Sequence, residues 1–363
     1  MKTLVLGGYG FFGTIIAATL ARSGPFEVTV AGRDGQRAAG AARTLGVHHA
    51  CLDIAAPGLA GDLAALQPGL VIDAVGPFQQ RDHAVARAAI AAGAHYVDLA
   101  DARDYVCAVT ALDAEARARG VLVVSGASSV PALTGAVVDR YAGDFGAIRE
   151  IEAGISSSAL VPGAATVTAM LCQCGRPFSQ WRDGAWSIAH GAQALRRRRF
   201  AQPGMSRWIG DTDVPDLALF PARYPGVRSV RFGAGVELTP VQWSFWLFSW
   251  LVRAGLVRDA PGWAPLLMRG ATMVQGLGTG RSALFVALRG TDRSGAPIER
   301  GWELLATGNE GANVPCMAAV ALARKLARPD FTLRGAMPCV GLLTLEEYLH
   351  ELEPFDVRAH EVH

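Results

Sequence analysis

Through the first third of the chain, short apolar runs alternate with alanine-rich stretches whose apolar residues recur at helical spacing. Leu4–Leu6, Val28–Val30, Val47–Leu52, Leu70–Val75, His95–Leu99 and Val121–Ser125 read as six strands. Thr14–Arg22, Gln36–Leu45, Ala84–Ala92 and Asp113–Arg119 read as helices, the last two stopped by Gly93 and Gly120. Strands alternating with helices predict β-α-β units and a parallel sheet covered on both faces.

The pattern changes beyond Pro131. Arg149–Ile155, Arg228–Leu238, Ala283–Arg289 and Glu299–Ala306 read as strands, with a helix at Ala165–Cys172, and no regular helix separates the later strands. That predicts a second α+β domain with a mixed or antiparallel sheet. After Asn313, a candidate N-cap followed by Pro315, Val314, Ala318, Leu322 and Leu326 mark one apolar helical face. The expected organisation is a nucleotide domain over 1–134 and a substrate and dimerisation domain over 135–312. A returning helix and C-terminal segment over 313–363 is expected to pack on the first domain.

The run Val241–Val252 is apolar and holds three tryptophans, but Arg253 ends it. A membrane span needs about 20 apolar residues, so none is expected. The segment 241–257 reads instead as a buried interface helix, the lining for a greasy substrate, or a peripheral membrane contact.

Composition adds exclusions. Half of the 363 residues are hydrophobic, 18% are charged and the net charge is +2, which argues against a nucleic-acid surface. The one basic run, Arg196–Arg199, reads as a solvated face, or more sharply as a contact to phosphate or an acidic substrate. Six cysteines are scattered, with only Cys172 and Cys174 close, so no metal site is expected and reduced thiols suit the cytoplasm. The opening residues run into a strand without a charged leader and apolar core, so no signal peptide is expected.

The candidate chemistry begins at Gly7-Gly8-Tyr9-Gly10-Phe11-Phe12-Gly13, directly after the first strand. Gly8, Gly10 and Gly13 fit the dinucleotide fingerprint, which permits a tight turn, close approach of a pyrophosphate and close helix packing. With the strand before and the helix after, this predicts a Rossmann domain. The second strand ends in Ala31-Gly32-Arg33-Asp34. A glycine where an NAD enzyme places its acid, followed by Arg33, favours the 2′-phosphate of NADP(H), and Arg37 could add a second charge. Asp34 stands one position late for the acid. Val75-Gly76-Pro77-Phe78 is expected to pass the nicotinamide ribose, and Asp53 to reach the adenine. Tyr96, Asp98 and Asp101 are candidates for proton transfer, with His83 in the preceding loop. Ser128, Ser129 and Arg281 are candidate substrate contacts.

These stretches, together with Ala91-Ala92-Gly93-Ala94-His95-Tyr96-Val97-Asp98 and Ser125-Gly126-Ala127-Ser128-Ser129-Val130-Pro131, resemble the saccharopine dehydrogenase-like family over about the first 140 residues. The resemblance implies a Rossmann domain, a second α/β domain and a nicotinamide cofactor, with relatives that reduce imines or enoyl chains. Three readings stay open: an NADPH-dependent reductase of a C=N bond, an NADPH-dependent reductase of a C=C bond on a hydrophobic or carrier-bound chain, and a non-catalytic NADP(H)-binding protein. A small-molecule substrate and a homodimer are expected.

Overall fold

Six of the apolar runs of the first third lie side by side as parallel strands in the computed structural model, which describes residues 1–22 and 24–362. They are β1 (Lys2–Leu6), β2 (Glu27–Gly32), β3 (His48–Cys51), β4 (Leu70–Asp73), β5 (His95–Asp98) and β6 (Leu122–Ser125). Their order is β3-β2-β1-β4-β5-β6, and Gly335–Pro338 adds a seventh parallel strand beside β6. The order reverses between β1 and β4, the crevice where doubly wound sheets bind nucleotides. β1, β4 and β6 are buried almost throughout, as expected of strands covered on both faces. β4 is two residues shorter than its apolar run because Val75 N donates to Asp73 Oδ1 at 2.9 Å and turns the chain.

The chain divides into two compact units, one of residues 1–133 with 313–351, the other of 134–312 with 352–363. The helix Val314–Leu326 packs on Phe11–Arg22 within the first unit, and its residues from Cys316 to Ala323 are all buried. Asn313 does not cap it: its backbone is already helical (φ −72°, ψ −33°), so its side chain makes no cap bond, and Pro315 alone marks the first turn. The second unit carries a mixed seven-stranded sheet. Its order is Arg196–Arg199, Ser206–Asp211, Ser229–Val236, Ala147–Ser157, Ser282–Thr291, Pro297–Ala306 and Val357–Val362. The pair Ser229–Val236 and Ala147–Ser157 is parallel, and the other pairs are antiparallel. A separate hairpin, Pro177–Arg182 with Ala185–His190, carried no clear signal in the sequence.

Two expectations are corrected here. Residues 357–362, expected to join the nucleotide domain, belong to the second unit. They pair with Pro297–Ala306 and satisfy the backbone groups of what would otherwise be an open sheet edge. The arginine run is a strand, and strand alternation makes only half of it a solvated face. Arg196 reaches Glu152 and Asp211 at 2.9 and 2.7 Å, and Arg198 reaches Glu303 at 3.2 Å, while Arg197 and Arg199 are exposed. The inward charges are paired with the protein's own carboxylates.

Candidate functional site

The glycine-rich turn leaves β1 at Gly7, whose φ of +71° favours glycine, and opens the helix Phe11–Arg22. A Cβ on Gly13 would lie 2.1 Å from the Gly7 carbonyl oxygen, so the turn and the helix close on each other only because Gly13 has no side chain. The helix has no acidic residue in its first turn, so its amino end presents an uncompensated positive dipole, suited to a pyrophosphate.

At the end of β2 the geometry distinguishes the two acid–base neighbours. Asp34 is the N-cap of Gly35–Leu45, its Oδ1 accepting from Arg37 N at 3.0 Å. One oxygen of the carboxylate is thereby engaged by the helix. Tyr9 lies against Gly32: a Cβ there would fall 2.5 Å from the phenol ring. The Tyr9 hydroxyl accepts from Asp34 N at 3.2 Å, and the Arg37 guanidinium stacks 4.7 Å from the ring centroid. Arg33 and Arg37 are exposed, and neither is committed to a carboxylate among the described residues. Two uncommitted guanidinia around a flat platform fit a 2′-phosphate. Asp53 lies beyond β3, where its Oδ1 accepts from Ala55 N at 3.0 Å.

A buried polar cluster lies at the carboxyl ends of β4 and β5. Asp73, fully buried, pairs with Arg81 at 2.7 Å, and Arg81 also donates to the carbonyl of Val75. The same Asp73 Oδ2 accepts from the Tyr96 hydroxyl at 3.1 Å, which lies 3.2 Å from the Tyr105 hydroxyl. Arg81 thus ties down the loop Val75–Phe78, and Val75 packs against the glycine turn. Phe78 stacks between Tyr105 and Arg81, with centroid distances of 5.2 and 4.8 Å. Sequence reasoning missed Asp73, Arg81 and Tyr105. The available signal was an aspartate closing the apolar run Leu70-Val71-Ile72.

The three expected proton-transfer residues differ in what surrounds them. Tyr96 is fully buried, and burial with the nearby Asp73 pushes its phenol well above the usual range. Asp98 is also fully buried. Its Oδ1 accepts from Ser125 Oγ, Gly126 N and Ala100 N at 2.9, 2.9 and 3.0 Å, and its Oδ2 has no hydrogen-bond partner among the described residues. Burial pushes its carboxyl up to about 7, against the pull of those hydrogen bonds. Asp98 therefore holds the turn after β6. Asp101 keeps partial exposure, its Oδ1 accepts from Gln79 Nε2 at 3.1 Å, and burial raises its carboxyl. His83 is buried against the Tyr105 ring, and burial lowers its imidazole. Ser128 and Ser129 are buried, and the Ser129 hydroxyl is bonded to Tyr348. Arg281 belongs to the second unit, beside Arg207.

Residues 3–124 match the family model described as the saccharopine dehydrogenase NADP binding domain. The nucleotide domain thus resembles that of the saccharopine dehydrogenase-like family. It is an NADP-binding domain of an oxidoreductase family. A search of curated proteins returns no match to the sequence. Among solved structures, the chain is similar to apo saccharopine dehydrogenase (L-Glu forming) from Saccharomyces cerevisiae. The TM-score is 0.69 at 15% identity over 100% of both chains. It is similar to the homospermidine synthase of Legionella pneumophila in complex with NAD (TM-score 0.62, 11% identity, 99% of this chain and 91% of that one). It also resembles an amine dehydrogenase from Mycobacterium smegmatis (TM-score 0.50, 12% identity, 93% and 94%). At these identities the likeness is one of fold.

The second unit contains a cavity of about 610 Å³ between the helices Ala164–Gln173, Thr239–Arg253 and Ala264–Val274. Val167, Leu171, Phe245, Phe248, Leu267 and Val274 line it. The polar side chains in its wall are the hydroxyls of Ser157, Ser158 and Ser244, and no ionisable side chain contributes. Among the described residues no helix is long and apolar enough to cross a membrane, and no group of three His, Cys, Asp or Glu could hold a metal.

Proposed function

We propose that the protein is an NADP(H)-dependent reductase of a polarised C=C bond on a substrate with a long apolar chain. The observation that carries this reading is the uncharged 610 Å³ cavity of the second unit. Its size suits a ligand of ordinary metabolite or short-lipid dimensions. An amino-acid-derived imine would bring carboxylates, and a charge buried without a partner is costly. The cavity offers only hydroxyls. The Gly7–Gly13 turn, Tyr9, Arg33 and Arg37 are assigned to the nucleotide, with the Val75–Phe78 loop on its nicotinamide side. When bound, the cofactor supplies or accepts the hydride. Asp101, partly exposed at the carboxyl end of the sheet, is assigned proton transfer, and Asp98 positions the turn that carries Ser128.

A second reading, reduction of a C=N bond, is favoured by the saccharopine dehydrogenase type of the nucleotide domain. It then requires an imine whose substituents are apolar.

The test is NADPH oxidation with α,β-unsaturated acyl thioesters of graded chain length and with imines of matched apolar amines, on wild type and Ala271→Trp. Ala271 lines the cavity, so the indole occupies the space of the chain. The expected result is kcat/KM rising with chain length and falling about tenfold or more in the variant for long chains only, with NADPH affinity unchanged. Rates indifferent to chain length and to the variant would sink the reading. Turnover of imines alone would transfer the assignment to the second.

A further inference from the structure

The exposed apolar side chains of the described residues are gathered on one part of the second unit. Fourteen large hydrophobic side chains stand in solvent, and nine of them lie between residues 243 and 277. Met273, Leu277, Leu256 and Leu266 are 83, 77, 75 and 61% exposed. On the helix Thr239–Arg253 the amphipathic pattern is doubled. Phe248 and Val252 face the interior, while Trp243, Leu247 and Trp250, at helical spacing, form a second apolar stripe towards water. Soluble surfaces rarely expose this much apolar side chain along one stretch of chain without a partner.

The patch is continuous with the cavity, because Leu160, Leu266 and Leu277 both line the cavity and stand exposed at its edge. It is also basic. Between residues 239 and 281 the sequence carries Arg253, Arg258, Arg269 and Arg281 against the single acid Asp259. None of these four arginines forms an ion pair among the described residues. Trp250 stacks with Arg253 at 5.0 Å, and indole beside guanidinium suits the headgroup level of a bilayer.

We propose that this face docks the protein on an anionic lipid bilayer with the cavity mouth against the membrane. The apolar chain of the substrate then passes from the bilayer into the cavity without crossing water. The inference rests on the reading of the cavity as a chain site. A second copy of the chain is a poorer occupant. A two-fold contact through this face would bring the uncompensated arginines of both copies together. Anionic headgroups neutralise them, while the leucines, methionine and indoles enter the interfacial region.

The test is sedimentation of the full chain with vesicles of phosphatidylcholine alone and of phosphatidylcholine with phosphatidylglycerol, for wild type and for Met273→Asp with Leu256→Asp. Both side chains stand in solvent and neither lines the cavity, so the exchange leaves the chain site alone, and an unchanged melting profile verifies the fold. Wild type is expected to bind the anionic vesicles at least about tenfold more tightly than the neutral ones, less tightly as salt rises, with the double variant losing about tenfold or more. Absence of vesicle binding overturns the docking proposal and leaves the substrate reading to its own assay. A wild-type dimer that the double variant dissociates, without vesicle binding, overturns it in favour of self-association. Vesicle binding combined with turnover indifferent to chain length overturns the delivery role and the substrate reading together.

Discussion

Replacing Asp98 by asparagine tests how the buried cluster is held. The carboxyl is fully enclosed, its Oδ1 accepts three hydrogen bonds and its Oδ2 has no hydrogen-bond partner among the described residues. Burial pushes it up to about 7, from an ordinary value near 3.8. The folded state therefore favours the neutral acid. That stabilisation is fully present below the unfolded value and is lost as pH rises through 7. Linkage over this shift makes the folded state lose about 2–3 kcal/mol between pH 5 and pH 8 on account of this group. Asparagine keeps an acceptor oxygen for the three donors and does not titrate. The difference in stability between variant and wild type is thus expected to move in the variant's favour by that amount across the same range. For a unit of this size it corresponds to roughly 5–10 °C in melting temperature. The assay is calorimetric unfolding of both proteins at several pH values, following the transition that NADPH shifts upwards. Asp216, also pushed up to about 7 by burial, belongs to the second unit and is common to both proteins, so it cancels. Parallel pH profiles for the two proteins would show that Asp98 is ionised throughout, and the burial argument would fail.

Two further outcomes follow from the nucleotide domain. Arg33→Ala and Arg37→Ala are each expected to weaken NADPH binding about tenfold, or about 1.4 kcal/mol, while leaving NADH binding unchanged. A fluorescence titration showing equal loss for both cofactors would remove the 2′-phosphate assignment. Arg81→Ala leaves Asp73 buried beside only Val75 N and the Tyr96 hydroxyl, and is expected to destabilise the nucleotide domain by about 3 kcal/mol at neutral pH. The additional change Asp73→Asn should recover part of that loss. A single-variant effect under about 1 kcal/mol in denaturant unfolding would contradict the ion-pair argument.

The sequence by itself determined what depends on near neighbours in the chain. The glycine turn, the strand before it, the helix after it and the arginine that follows Gly32 are all set within the first 33 residues. Their meaning rests on backbone sterics and helix dipoles that a short segment already possesses. The alternation of strand and helix likewise carried the parallel sheet, and its breakdown beyond Pro131 carried the mixed one. Tertiary structure decided the properties that arise when distant residues meet. Asp73, Arg81, Tyr96 and Tyr105 are separated in sequence yet form one network, and only burial makes Asp98 titrate near neutrality. Arg196 and Arg198 read as free charges until the fold sets Glu152, Asp211 and Glu303 against them. The terminal strand 357–362 has too few apolar residues to announce its place, and its partner is an edge some 50 residues away. The tryptophan-rich helix was legible as apolar but not as two-faced. Which of its residues point to the cavity and which to water is fixed by the helices and strands that pack against it. Local sequence sets backbone preference, whereas desolvation, charge pairing and cavity shape are properties of the packed chain.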